Sequence, residues 1–151
     1  MKGRTYRYFK GEPLYPFGYG LSYTKFKYSG LKLSSSTLEA GKPLDAEVTI
    51  TNTGGLAGDE VAQLYLVPPQ QDVYPIHNLA GFQRVHLAPK ASTVVHFKLD
   101  PRDLSEVDSA GKREVRAGSY QIYVGGGQPG AKESTGMSQD LTITGSAPLP
   151  E

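Results

Sequence analysis

The chain has 151 residues, 38% of them hydrophobic, and 16 basic against 15 acidic side chains leave a formal net charge of +1. That length fits one domain with a sizeable core, and the near-neutral balance offers no global field to recruit nucleic acid or anionic lipid. The absence of cysteine excludes a disulfide scaffold, thiol catalysis, Cys-ligated zinc and iron–sulfur clusters, and leaves the compartment open.

The N-terminal stretch differs from the rest. Of the 15 Phe and Tyr residues, nine lie within the first 28: Tyr6, Tyr8, Phe9, Tyr15, Phe17, Tyr19, Tyr23, Phe26 and Tyr28. The same stretch holds six basic residues against one acid, Glu12, so it carries +5 while the remaining 123 residues carry −4. Met1 to Tyr6 has charge but no apolar region, and no later run approaches the roughly 18 apolar residues of a membrane span, so neither a signal peptide nor a membrane helix is expected. Pro13, Pro16, Gly11, Gly18 and Gly20 interrupt any helical period. Residues 1–27 therefore read as an aromatic, basic arm or linker. Rings at this density need cover, since each buries roughly 150–250 Å² in a core; it must come from the body, another domain or a partner.

Residues 28–144 read as β throughout, with a first strand near Phe26–Leu33. Leu44, Ala46, Val48 and Ile50 alternate with polar residues, the period of a strand with one face inward, and Asn52-Thr53-Gly54-Gly55 reads as a turn. Asp59 to Val67 has apolar residues on both faces and predicts a central strand. Strands are also expected at Gly81–Leu87, Thr93–Leu99, Tyr120–Val124 and Leu141–Ile143, with a turn at Asp100–Leu104. About seven strands separated by turn signals predict an all-β antiparallel sandwich of the immunoglobulin kind. Residues 125–139 are expected to form a mobile hairpin loop, and 145–151 a disordered tail.

Candidate chemistry is sparse. Asp59 and Glu60 are neighbours on a strand, so their side chains face opposite ways and cannot flank one bond. Asp100 with Asp103, and Glu106 with Asp108, fit turn capping. His86 and His96 sit on successive predicted strands and could meet across a hairpin, but two imidazoles do not make a catalytic zinc site, which takes three protein ligands. No serine has the setting of a nucleophile elbow, and Gly125-Gly126-Gly127 precedes Gln128-Pro129 rather than a helix, so it reads as a loop hinge. No catalytic, cofactor or metal site is expected. Arg4, Arg7 and Lys10 among Tyr6, Tyr8 and Phe9 could stack bases, but the broken backbone and the acidic body argue against nucleic acid. Tyrosine platforms for sugar rings are a better fit.

The run Arg4-Thr5-Tyr6-Arg7-Tyr8-Phe9, followed by Pro13-Leu14-Tyr15-Pro16-Phe17-Gly18-Tyr19-Gly20-Leu21-Ser22-Tyr23-Thr24, closely resembles a junction in family 3 glycoside hydrolases. There it leads from an α/β-sandwich domain into a C-terminal fibronectin type III-like domain. Val48 to Gly54, Gly58 to Tyr65, Leu79 to Val85 and Gly118 to Gly126 extend the likeness over nearly everything from Arg4 to Gly127. The resemblance implies a fibronectin type III-like sandwich that is not itself an enzyme. Its longer chain would be a β-glucosidase or β-xylosidase, secreted or periplasmic, acting on terminal β-glycosidic bonds. The family's nucleophile and acid/base residues lie on other domains, so none carries over. Tyr6, Tyr8, Phe9, Tyr15, Phe17, Tyr19 and Tyr23 would line an interdomain seam against the catalytic barrel and α/β-sandwich domains, and Arg7 and Arg84 would be candidates for ion pairs there. Tyr120 fits a tyrosine corner, its hydroxyl satisfying a backbone group. The alternatives are a carbohydrate-binding module using Tyr15, Tyr19 or Tyr74, with weak polysaccharide contact, or a protein-interaction module. An uncovered arm would fold back, stay disordered or pair with a second copy.

Overall fold

The computed structural model describes residues 5–17, 19–69, 75–107, 110–131 and 135–150. Two antiparallel layers enclose the core. The first contains β1 (Phe26–Leu33), β3 (Leu44–Asn52) and β6 (Ser92–Leu99) in the order β1-β3-β6. In β3 the period of two is realised: Leu44, Ala46, Val48 and Ile50 are buried and the residues between them are not. The register Val48↔Val95 and Ala46↔Phe97 aligns their side chains with the buried face of β6. Gly30, with φ 65°, marks the irregularity between Ser29 and Lys32 where β1 shifts register on β3.

The second layer runs β2-β10-β9-β4-β5, with β2 (Thr37–Glu39), β4 (Gly58–Val67), β5 (Asn78–Leu87), β9 (Gly118–Gly125) and β10 (Gly136–Thr144). β4 is central, between β9 and β5, as its two-sided apolar pattern predicts. β2 alone joins in parallel, on β10. Ala62, Leu64, Leu66, Ile122, Val124, Leu141 and Ile143 from this layer meet Val48, Ile50, Val95 and Phe97 from the other in one apolar cluster. Leu104 and Val115 complete it, both almost fully buried.

Among the described residues, the seven long strands are those expected, and four short ones add to them: β2, β7 (Glu106–Val107), β8 (Arg113–Val115) and β11 (Ala147–Leu149). β11 corrects the expectation of a disordered tail. It pairs antiparallel with β8, in a third small sheet ordered β11-β8-β7. Gly145, at φ 72°, redirects the chain after β10, and Ala147 and Leu149 pack on the core cluster. Three residues carry no periodicity to read, and their partner lies far away in sequence.

The loop expected over 125–139 is also shorter. The ladder between β9 and β10 continues to Gly125↔Gly136, because an adjacent fixed strand supplies backbone partners and the two glycines leave room for the Tyr123 ring. The body likewise begins ahead of residue 28, since β1 starts at Phe26 and Thr24 is already buried. His86 and His96 do not meet. β5 and β6 belong to different sheets, so the two imidazoles face separate surfaces, beside Asp59 and Glu47.

Candidate functional site

The arm returns onto the outer face of the five-stranded sheet. Amides of Tyr8 and Phe9 both donate to the Thr5 carbonyl, at 3.2 and 3.0 Å, closing a tight turn. The Ile76 amide donates to the carbonyl of Arg7 at 2.6 Å, tying that turn to the segment ahead of β5. Further on, the Phe17 amide donates to Gln128 Oε1 at 3.3 Å, and the Gln128 amide donates back to the Phe17 carbonyl at 3.4 Å. These bonds anchor the arm at two points, on the β5 approach and on the β9–β10 loop.

Between the anchors lies an aromatic cluster. Tyr6 stacks on Phe17 with centroids 4.5 Å apart, and meets Tyr65 of β4 edge-on at 6.3 Å. His77 lies 5.7 Å from Tyr6 and 5.5 Å from Tyr65, and Tyr123 of β9 lies 6.4 Å from Tyr65. Tyr65 points outward from the sandwich, yet it is fully buried, because the arm covers it. Its hydroxyl donates to Gln63 Oε1 at 2.6 Å, and Gln63 Nε2 donates to the Gly126 carbonyl. Burial, then the neighbouring Tyr6 and Tyr123, push the Tyr65 phenol well above its ordinary range. Burial alone holds the His77 imidazole below its ordinary 6.5.

The arm's other apolar side chains find no such cover. Leu14 is 95% exposed, Leu21 90% and Tyr23 97%. Tyr15 and Tyr19 form a tilted pair 5.2 Å apart, also open to solvent, and Phe9 is exposed. Of the seven seam candidates, Tyr6 and Phe17 are thus brought together, Tyr15 and Tyr19 pair separately, and Tyr23 stands alone. Tyr8 is half-buried, with the Arg7 guanidinium carbon 5.8 Å from its ring centroid. Tyr74 lies outside the described residues. The hydroxyl of Tyr120, at the start of β9, donates to the Arg116 carbonyl at 3.1 Å.

The carboxylates divide by face. Asp59 turns outward, where Arg84 and His86 both bond it, and these two partners hold its carboxyl below the usual range. Arg84, read from sequence as a candidate for an interdomain pair, thus has a partner within the sheet. Glu60 turns toward β1 and accepts from the Tyr28 hydroxyl at 2.8 Å; burial raises its carboxyl and that bond partly offsets the rise. Asp103 Oδ2 accepts from the Asp100 amide at 2.9 Å, a turn cap. Asp108 lies outside the described residues, and Glu106 instead faces Glu114 across β7 and β8, a juxtaposition that strand pairing alone creates. Arg116 bonds Glu114, so this pair does not present two free carboxylates to one space. Among the described residues, no group of three or more His, Asp or Glu could hold a metal ion.

Sequence reasoning missed Tyr65, Tyr123, His77 and Gln63. Tyr65 and Gln63 share the outward face of β4, and Tyr6 and His77 close over Tyr65.

The fibronectin type III-like domain family matches residues 60–128. A putative beta-xylosidase of Formosa agariphila is 36% identical over 123 residues, which is 81% of this chain and 16% of the relative. A probable beta-glucosidase M of Aspergillus oryzae is 40% identical over 134 residues, 76% of this chain and 17% of the relative. Among solved structures, beta-glucosidase 3B of Thermotoga neapolitana superposes with a TM-score of 0.82 at 32% identity, over 97% of this chain and 19% of that one. A GH3 beta-glucosidase of Bifidobacterium adolescentis gives 0.73 at 29% identity, over 85% and 18%. The chain spans about a sixth of the length of the curated relatives it matches.

Proposed function

This chain is a fibronectin type III-like domain of the kind carried by family 3 glycoside hydrolases, and on that premise we propose that it is a non-catalytic accessory domain that packs against the catalytic domains of a longer chain. The observation that carries the reading is the divided arm. Tyr6 is docked against Tyr65, with the half-exposed Phe17 ring stacked on it, while Leu14, Leu21 and Tyr23 in the same segment stand almost fully in water. Large apolar side chains so placed mark a surface that another body covers. The seam would be formed by the outer half of the arm, with the barrel and α/β-sandwich domains of the same chain as partners. The longer chain would hydrolyse terminal β-glucosidic or β-xylosidic bonds, with every reacting group outside these 151 residues.

The test is hydrolysis of aryl β-glucoside and aryl β-xyloside, by this chain alone and mixed with a longer chain cut just ahead of the matching segment. The expected result is no turnover alone, and a raised thermal midpoint or rate in the mixture. Turnover by the purified chain alone would overturn the accessory reading, as would a mixture no more stable than the truncated enzyme.

The tilted Tyr15–Tyr19 pair favours a second reading, a platform that holds the enzyme on polysaccharide. Retarded migration in xylan or glucan gels, lost on replacing both tyrosines by alanine, is the result that would support it.

A further inference from the structure

We propose that the cavity between the arm and the β7–β8 end of the sandwich is a binding site for a neutral sugar ring. The cavity holds about 320 Å³, near the lower bound of small-molecule sites. Arg7 and Tyr8 of the arm, Asn78 of β5, Ser105, Glu106 of β7 and Arg113 of β8 line it. Three kinds of planar polar head therefore converge there: guanidinium, carboxyl and amide. Each offers two atoms in a fixed plane, the geometry that engages two adjacent hydroxyls at once. Tyr8 and Pro75 supply the apolar wall that the C–H face of a pyranose needs.

The charges select against ionic ligands. A carboxylate entering beside Arg7 and Arg113 would also meet Glu106. An ammonium group suited to Glu106 would meet the two guanidinium groups. Hydroxyls both donate and accept, so they serve either wall.

Spare hydrogen-bonding capacity points the same way. Ser105 is spent: its hydroxyl donates to the Arg102 carbonyl at 2.6 Å and accepts from Arg113 Nη1 at 3.0 Å. Arg7 Nε and Glu106 Oε2 are different. Both are buried behind the cavity lining, and neither has a hydrogen-bond partner. One is a donor short of an acceptor and the other an acceptor short of a donor, the complement of what a diol offers.

The test is a ligand-observed saturation-transfer titration of the 151-residue chain with glucose, xylose, glucuronate and glucosamine. Glucose or xylose is expected to saturate, with both charged sugars weaker. Arg7→Ala should weaken binding about tenfold or more, and Arg7→Lys, which keeps the charge but loses the fork, should weaken it similarly in a chain whose amide spectrum is unchanged. Glu106→Ala, which removes the acceptor that lines the same cavity as Arg7, should weaken binding to a similar degree. A chain lacking both Tyr15 and Tyr19 rings should bind as before. No saturation by either neutral sugar would overturn the proposal. So would tighter binding of glucuronate than glucose, or binding that depends on Tyr15 and Tyr19 and ignores Arg7.

Discussion

The ring of Tyr6 lies on that of Phe17 with planes 22° from parallel, while its edge meets Tyr65 on the central strand of the larger sheet. A residue of a Pro- and Gly-broken segment is thereby held from two sides, once by its own arm and once by the sandwich. The outward face of β4 becomes interior at that point. Two measurements bear on this contact and on the imidazole beside it, one on a polar plug at the end of β3, and one on the corner of β9.

Tyr6→Ala should destabilise the chain by about 2 kcal/mol, since it removes two ring contacts of roughly 0.5–1.5 kcal/mol each together with their buried area. Tyr23→Ala, at a side chain 97% exposed, should stay within about 0.5 kcal/mol. Urea unfolding of both variants checks this. In a longer chain carrying the catalytic domains the order should change, with Tyr23→Ala lowering the thermal midpoint. Equal effects of the two substitutions in the isolated chain would mean that the arm is not docked.

Asn52 should tolerate no apolar replacement. It is fully buried at the end of β3, and its amide makes four hydrogen bonds. Oδ1 accepts from the Thr24 hydroxyl at 2.6 Å and the Gly54 amide at 3.0 Å, while Nδ2 donates to the carbonyls of Leu56 and Leu87 at 2.8 and 3.0 Å. Gly54 belongs to the same plug, because a Cβ there would lie 3.1 Å from Thr24 Cβ and 3.2 Å from the Lys25 amide. Asn52→Ala leaves several buried groups unpaired at ~1–3 kcal/mol each, so a loss of about 3 kcal/mol or more is expected in urea unfolding. A loss below about 1 kcal/mol would show that water replaces the side chain without penalty.

Tyr120→Phe keeps the ring in the core and deletes only the hydroxyl that reaches the Arg116 carbonyl. The expected cost is ~1–2 kcal/mol, with the fold retained by circular dichroism. A neutral substitution would remove any corner role for this residue.

His77 should make stability depend on pH. Burial favours its neutral form, so its folded pKa lies below the ordinary 6.5. Its contribution to stability is complete above that value, and is lost as the pH falls through the folded pKa, because the unfolded chain takes the proton first. Glu60 and Glu106 act in the opposite sense. Burial raises their pKa values above 4.5, so their contributions are complete below that value and are lost as the pH rises through the folded pKa. Comparing the chain with His77→Gln from pH 8 to 5 cancels those acids. The urea midpoint of the parent chain should fall more steeply than that of the variant. Parallel curves would place His77 in water.

Much of this was legible along the chain. Leu44 to Ile50 declare a half-buried strand by alternation alone, and Asp59 to Val67 declare a central one, because side-chain direction in a strand follows from a period of two. The opposed faces of Asp59 and Glu60 follow from the same rule. Composition also marked the arm, since rings and positive charge are concentrated there. The family resemblance rested on those same residues.

Other relationships depend on pairs too distant for any local pattern. Ala147 to Leu149 is a strand only because β8 offers a free edge. Tyr65, on the outward face of β4, is interior because Tyr6 and His77 close over it. Glu106 faces Glu114 only through the pairing of β7 with β8, and Arg7 reaches the same cavity only because Ile76 holds its carbonyl. Periodicity and composition act through neighbours along the chain, and they set which residues could form strands and which segment needed cover. Which rings were covered, and which polar groups were left without partners, was decided by tertiary structure, because burial depends on what the rest of the chain brings alongside.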